Sequence, residues 1–169
     1  FIKTTKPSKN RMKKIILSLV LFLFAGSSIA QSGWVSTNAS PIGGEYNDMF
    51  FVNNLTGWIV GNAGLIMKTE KGGTEWTIQT KNRNYNLTSL YFVDAFTGVT
   101  VGTKGKILRT SNGGINWREI SVNTSQNLTG IIFFDSARGI ICGDSAIILK
   151  TTNAGVNWTV FSQGSNNFR

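Results

Sequence analysis

The sequence predicts an all-β fold made of three consecutive four-stranded antiparallel repeats of 41 residues. Residue columns recur at this period without a gap, each repeat contains four short apolar runs, and no run keeps a helical period over a useful length. The most regular columns are Gly57, Gly98 and Gly139; Gly61, Gly102 and Gly143; and Trp76, Trp117 and Trp158. Four short strands every ~40–45 residues are typical of a β-propeller blade. The chain is therefore predicted to form three blades.

The second repeat shows the elements of a blade most clearly. Four runs, each bounded by Gly, Asn or Asp, are predicted as strands: residues 90–93, 98–101, 106–109 and 116–120. Several of these runs are apolar on successive residues, which is typical of strands covered on both faces. We therefore expect each blade to pack face to face with its neighbours.

The turn before the last strand of each repeat is called here the box turn, and it comprises residues 69–76, 110–117 and 151–158. An Asn at its third position can accept hydrogen bonds from the turn's own main chain, and a Gly at its fifth can adopt a positive φ. The Trp at its end is expected to anchor the hairpin in the core. The residues predicted to build these turns are Thr69, Gly73, Trp76, Thr110, Asn112, Gly114, Trp117, Thr151, Asn153, Gly155 and Trp158.

The box turn, Thr-x-Asn-x-Gly-x-x-Trp, resembles the Asp-box of bacterial neuraminidase repeats. The whole unit is more similar to the repeat of the photosystem II stability and assembly factors. In this unit a strand that begins with Leu-Thr and the Gly-x-x-x-Gly pair precede the run Ile-Leu-Arg-Thr-x-Asn-Gly-Gly-x-x-Trp. The resemblance covers residues 46–161. It departs at Lys71, which replaces Asn or Asp, and at Ala154 and Ala146, which replace Gly. The resemblance implies a β-propeller that binds a protein partner, and it implies an arginine-rich binding face.

The chain is predicted to divide into three segments, and the third contains the blades. Residues 1–11 precede the first methionine and are interpreted as an upstream non-structural segment. Residues 12–30 have the pattern of a bacterial signal peptide, with two lysines, a short apolar run and small residues before cleavage near Ala30-Gln31. Residues 31–169 are predicted to form a partial β-propeller with repeats at about 46–79, 87–120 and 128–161. The expected location is therefore secreted, periplasmic or in the cell envelope, with no membrane span in the mature chain.

The net charge of +9 is concentrated in the segment that is expected to be removed. Residues 1–30 contain six basic residues and no acid, so the remaining chain has a net charge of +3. A nucleic-acid partner is not expected from this balance.

Three blades are fewer than the four to eight or so that usually close a ring. Residues 33–37, around Trp34, are interpreted as a strand that completes the last blade of such a ring. We expect the remaining blades to come from a longer chain or from other copies of the chain, because an open array would leave sheet edges exposed.

Two groups of residues are candidate binding sites. Lys68, Arg109 and Lys150 recur at the 41-residue period just before each box turn, and the family resemblance makes this basic column a candidate for partner binding. Lys81, Arg83 and Tyr85 lie in a polar linker that suits contact with a protein or a glycan. For both groups the alternative is a solvated surface without a function.

Catalysis and cofactors are not predicted. The chain has no His and no paired-carboxylate motif, and Asp94 and Asp135 recur at one turn position, which indicates a structural role. Neither a metal site nor a cofactor is expected. Cys142, the only cysteine, aligns with Val60 and Val101 and is predicted to be a small core residue.

The function predicted from the sequence is that of an exported, non-catalytic scaffold that mediates protein–protein interaction or assembly. The alternative is a fragment of a carbohydrate-active Asp-box propeller, either a sialidase-like enzyme, a glucan hydrolase or a lectin. In that alternative the catalytic residues lie in missing sequence.

Overall fold

The computed structural model describes residues 45–81 and 84–162. The upstream segment, the signal peptide, the strand predicted at residues 33–37 and Arg83 lie outside this part. The strands are β1 Tyr46–Phe51, β2 Gly57–Gly61, β3 Ile66–Thr69, β4 Thr77–Thr80, β5 Leu87–Phe92, β6 Gly98–Gly102, β7 Ile107–Thr110, β8 Arg118–Glu119, β9 Leu128–Phe133, β10 Gly139–Gly143, β11 Ile148–Thr151 and β12 Thr159–Ser162. No described helix is long and apolar enough to cross a membrane.

The strands form three four-stranded sheets, each in the sequential order of an antiparallel meander. Blade 1 contains β1–β4, blade 2 contains β5–β8 and blade 3 contains β9–β12. The all-β prediction and the prediction of propeller blades are confirmed. Single-turn 3₁₀ helices at residues 62–64, 103–105 and 144–146 join the second and third strands of the blades.

The first and third connections of each blade lie at one end, which is called here the box-turn end. There the box turn bonds to the turn between the first two strands of the same blade. The main-chain N–H groups of Gly72, Gly113 and Ala154 donate to the carbonyls of Leu55, Phe96 and Ala137 at 2.8, 2.9 and 2.9 Å. The 3₁₀ turns and the linkers between blades lie at the opposite end, because successive strands run antiparallel.

Adjacent blades bury the sheet faces that they turn towards each other. Between blades 1 and 2, Trp58 and Phe92 stack with their ring centroids 3.6 Å apart and their planes 14° apart. Between blades 2 and 3, Val99, Val101 and Ile107 of blade 2 are buried against residues of blade 3 that include Phe133. The face of a blade that packs on the following blade is called here its forward face, and the other its backward face.

The prediction that Cys142 is a core residue is wrong. Its equivalents Val60 and Val101 are fully buried on the forward faces of blades 1 and 2, whereas the Cys142 side chain is exposed. Cys142 lies at the same position of blade 3, whose forward face has no neighbouring blade among the described residues. The Gly-x-x-x-Gly pattern around this position is shared by the three repeats, so exposure here is decided by packing between blades.

Polar bonds join the blades as regularly as apolar contacts do. The side chain of Asn47 in blade 1 donates to the carbonyl of Leu87 in blade 2 at 2.7 Å. One repeat later, the Thr88 hydroxyl donates to the carbonyl of Leu128 in blade 3 at 2.5 Å. Because Asn47 and Thr88 are 41 residues apart, successive blades are held in the same register.

Candidate functional site

The box turns are built around a buried threonine hydroxyl. Thr110 Oγ1 accepts hydrogen bonds from the main-chain N–H groups of Asn112 and Gly114 at 3.3 and 2.9 Å, and it donates to Asn112 Oδ1 at 2.9 Å. The same atoms of blade 3 make the same bonds around Thr151. Gly114 has a φ of +87°, which a residue with a Cβ atom rarely adopts. Each turn is therefore fixed by its own side chains.

The first box turn lacks the two bonds that an Asn side chain accepts in the other box turns, one from the Thr hydroxyl and one from the main chain. Asn112 Oδ1 accepts a hydrogen bond from the main chain of Asn116 at 2.9 Å, and Asn153 does the same for Asn157 at 3.0 Å. Lys71 has no acceptor at this position, and its ammonium group instead pairs with Glu75 at 2.7 Å in an exposed ion pair. Thr69 still accepts from the main chain of Lys71 and Gly73.

Each box-turn tryptophan contacts the last aromatic residue of its blade's first strand. The ring pairs Phe51–Trp76, Phe92–Trp117 and Phe133–Trp158 are all T-shaped, with centroids 6.1, 6.0 and 5.9 Å apart. Trp158 is buried, and the other two tryptophans are partly buried. The box turns are thus anchored in the sheets that they terminate.

The basic column lies between blades. Arg109 Nε in blade 2 donates to the carbonyl of Ala154, in the box turn of blade 3, at 2.8 Å. Burial lowers the pKa of Arg109, and the charge of Asp94 partly opposes that effect. Lys68 is mostly buried, lies 5.5 Å from the Trp58 ring centroid and pairs with Glu70 at 2.6 Å.

Lys150 occupies the same position at the edge of blade 3. Its ammonium nitrogen lies 3.1 Å from the ring centroid of Phe161 in its own blade. Within the described residues the column therefore contributes a hydrogen bond between blades through Arg109, whereas the contacts of Lys68 and Lys150 given above lie within their own blades. Its role in binding a partner remains a prediction.

The linker candidates lie at the opposite end from the basic column. Lys81 is exposed, whereas the ring of Tyr85 is partly buried and lies 4.9 Å from Lys106 Nζ. Burial raises the pKa of Tyr85, and the nearby carboxylate of Glu119 adds to the effect. The candidate residues thus form two separate groups at the two ends of the blades.

The repeated acids close turns. Asp94 Oδ1 accepts hydrogen bonds from the main chain of Phe96 and Thr97 at 2.7 and 2.6 Å. Asp135 Oδ1 accepts from Ala137 and Arg138 in the same way, and the Arg138 side chain adds a bond to Oδ2. These donors lower the pKa of Asp135 to about 2. The described residues contain no group of three potential metal ligands.

A groove at the box-turn end lies between blades 2 and 3. It has a volume of about 290 Å³, and its polar lining comes mainly from Arg109, Asn112, Asn116, Arg118 and Asn157. Ile115 and Val156, at the tips of the neighbouring box turns, are exposed. This groove was not predicted from the sequence, although the 41-residue spacing of Ile115 and Val156 indicates that both tips point the same way from adjacent blades.

Comparison with known proteins places these blades in a family. The family model of the photosynthesis system II assembly factor YCF48 matches residues 77–165. A solved structure of YCF48 bound to a D1 peptide is 25% identical, with a TM-score of 0.66 over 74% of this chain and 42% of that chain. YCF48 from Cyanidioschyzon merolae is 22% identical, with a TM-score of 0.63 over 75% of this chain and 42% of that one.

A more distant likeness shows the fold alone. The GH74 enzyme of Niastella koreensis is 15% identical, with a TM-score of 0.55 over 66% of this chain and 22% of that chain. A search of curated proteins found no match. This chain spans about 42% of the length of the YCF48 structures that it matches. With more than half of its residues matched by the family model, the chain belongs to the YCF48 family of photosynthesis system II assembly factors.

Proposed function

We propose that this chain is a non-catalytic protein-interaction propeller that binds an extended peptide segment at its box-turn end. The observation that carries the proposal is the 25% identical YCF48 structure, which holds a D1 peptide. Propeller blades present their turns at two ends, so a peptide that crosses blades contacts the turns of more than one repeat.

The groove between blades 2 and 3 is the proposed peptide site. Two of its described lining residues, Arg109 and Arg118, are cationic and none is acidic. The bond from Arg109 Nε to Ala154 uses only one of the five N–H groups of the guanidinium. Side-chain amides of Asn112 and Asn116 suit the main chain of a peptide, and the exposed Val156, which also lines the groove, suits an apolar side chain. The preferred ligand is therefore an extended segment that carries a carboxylate.

A titration with the D1 peptide tests the proposal. Fluorescence anisotropy of the labelled peptide is expected to show saturable binding that weakens as salt increases. Arg118→Ala is expected to weaken binding, and Lys81→Ala, at the opposite end, is the matched control. If only Lys81→Ala weakened binding, the peptide site would lie at the linker and not at the box-turn end. The proposal would be contradicted if neither the D1 peptide nor any acidic peptide in a displayed library bound to the chain. It would also be contradicted if the chain released reducing sugar from a glucan.

Export is part of the same proposal. It is supported by residues 12–30, whose charged start, apolar run and small residues suit a signal peptide. Expression of this chain in a bacterial host, followed by mass spectrometry, is expected to yield an exported protein that begins at Gln31. An uncleaved cytoplasmic product would contradict this location.

A further inference from the structure

A groove equivalent to the proposed peptide site lies at the box-turn end between blades 1 and 2. Its volume is also about 290 Å³. Gln79 of blade 1 lines it and donates from Nε2 to the carbonyl of Gly113, in the box turn of blade 2, at 3.3 Å. Its lining residues are Lys68, Glu70, Lys71, Glu75, Thr77 and Gln79. Each of them lies 41 residues before a residue that lines the groove between blades 2 and 3, so the two grooves are built in the same way.

The two grooves differ in charge. The groove between blades 1 and 2 is lined by two glutamates, at positions where the other groove has uncharged residues. Glu70 pairs with Lys68 at 2.6 Å, and Glu75 pairs with Lys71 at 2.7 Å. Both lysines of this groove therefore already have an anionic partner, and its lining has no net charge.

The glutamates oppose the entry of a further carboxylate. The hydrogen bond and the charge of Lys68 lower the pKa of Glu70, so Glu70 is ionised at neutral pH. A ligand carboxylate that approached Lys68 or Lys71 would have to displace the glutamate and would then lie beside the displaced charge. Repulsion between the two carboxylates would offset the attraction of the lysine.

The arginines of the groove between blades 2 and 3 are not neutralised in this way. No acid in the described part of the chain forms an ion pair with Arg109 or Arg118. The charge of Asp94 acts on Arg109, but Asp94 does not line the groove, and its Oδ1 accepts two main-chain hydrogen bonds within its own turn. A ligand carboxylate can therefore reach this groove without displacing an acid of the chain.

We infer that Glu70 and Glu75 exclude carboxylates from the groove between blades 1 and 2 and thereby confine them to the groove between blades 2 and 3. The inference rests on the proposed function and adds the register in which the peptide is held. Packed sheets lie about 10 Å apart and an extended chain advances about 3.3 Å per residue, so a peptide that crosses both grooves places residues about three positions apart over them. The preferred segment has an acidic residue at one of these positions and an uncharged or basic residue at the other.

Removal of the two glutamate charges tests the inference with little change in the shape of the groove. The labelled D1 peptide is titrated into chains that carry Arg118→Ala, in which its binding is expected to be weakened. Addition of Glu70→Gln and Glu75→Gln frees Lys68 and Lys71, and it is expected to strengthen binding about tenfold, as one charged hydrogen bond would. Unchanged affinity would overturn the inference.

A matched control separates this effect from a change in net charge. Glu45→Gln with Glu119→Gln removes the same charge at the opposite end, because Glu45 precedes β1 and Glu119 pairs with Lys106 at the start of β7. In the Arg118→Ala chain this pair of substitutions is expected to leave the affinity unchanged. Equal recovery in both pairs of substitutions would overturn the inference.

A cross-linking map distinguishes failure of the inference from failure of the proposed function. A D1 peptide with a photoreactive group next to a carboxylate is expected to label only the groove between blades 2 and 3 in the unmodified chain. In the chain with Glu70→Gln and Glu75→Gln it is expected to label both grooves. Labelling of both grooves in the unmodified chain would overturn the inference and leave the proposed function intact. A peptide that labels neither groove would contradict the proposed function, and the inference with it.

Discussion

Arg109 of blade 2 donates a hydrogen bond from Nε to the carbonyl of Ala154, in the box turn of blade 3, at 2.8 Å. The two residues are 45 positions apart, and their bond joins the end of one sheet's third strand to the terminal turn of the next. A charged donor at this position supports the partly buried box turn of its neighbour.

Replacement of Arg109 by Ala is expected to lower the free energy of unfolding by about 1–2 kcal/mol, because the Ala154 carbonyl loses a charged donor. Urea unfolding followed by tryptophan fluorescence measures the change. Arg118→Ala is the control, since Arg118 is exposed, and it is expected to change stability by less than about 0.5 kcal/mol. Equal effects of the two substitutions would show that the Arg109 bond contributes nothing specific.

The repeat made the fold predictable, because strand positions follow from apolar runs and from glycines that recur at a fixed spacing. The contact of Arg109 with Ala154 could not be predicted, since it depends on how one sheet is placed against the next. The same cause explains Cys142, whose sequence position is equivalent to two buried valines although its own face has no neighbouring blade in the described part of the chain. Tyr85 has polar sequence neighbours but packs partly against the core between blades 1 and 2.

Substitution of Thr110 is expected to lower the stability of the fold more than substitution of any other residue in its box turn. Thr110→Val keeps the shape of the side chain but leaves the main-chain N–H groups of Asn112 and Gly114 without their acceptor, at a cost of about 2 kcal/mol. Thr110→Ser keeps the hydroxyl and should retain most of the stability. Thermal unfolding followed by circular dichroism compares the two variants. A loss of stability in Thr110→Ser with none in Thr110→Val would indicate that the methyl group, and not the hydroxyl, is important.

Lys71→Asn is expected to stabilise blade 1. It supplies the side-chain acceptor that Asn112 and Asn153 provide in the other box turns, a gain of about 0.5–1.5 kcal/mol. The lost ion pair with Glu75 is exposed and contributes little. The urea midpoint measures the gain, with Lys71→Ala as the control that loses the ion pair without gaining the acceptor. A midpoint for Lys71→Asn no higher than that of Lys71→Ala would contradict this account.

Asp135 is expected to contribute to the loss of stability in acid. Bonds from Arg138 and Ala137 hold the pKa of Asp135 at about 2, below its value in the unfolded chain. A lowered pKa stabilises the fold above pH ~4, and that contribution disappears as pH falls towards 2. Asp135→Asn removes the titration but keeps the acceptor, as Asn53 does at the same position of blade 1. Urea midpoints are therefore expected to fall less steeply between pH 5 and 2 in the variant than in the unmodified chain. If the midpoints of the two chains fell equally steeply, a contribution of Asp135 to the loss of stability in acid would be excluded.

The packing of one blade on the next is tested most directly by a double-mutant cycle on Trp58 and Phe92, which stack across the boundary between blades 1 and 2. The free energies of unfolding of the unmodified chain, Trp58→Leu, Phe92→Leu and the double variant give the coupling between the two rings. We predict a favourable coupling of about 1 kcal/mol. Additivity within about 0.3 kcal/mol would show that the two blades fold without sharing a core, and it would contradict the arrangement on which the groove depends.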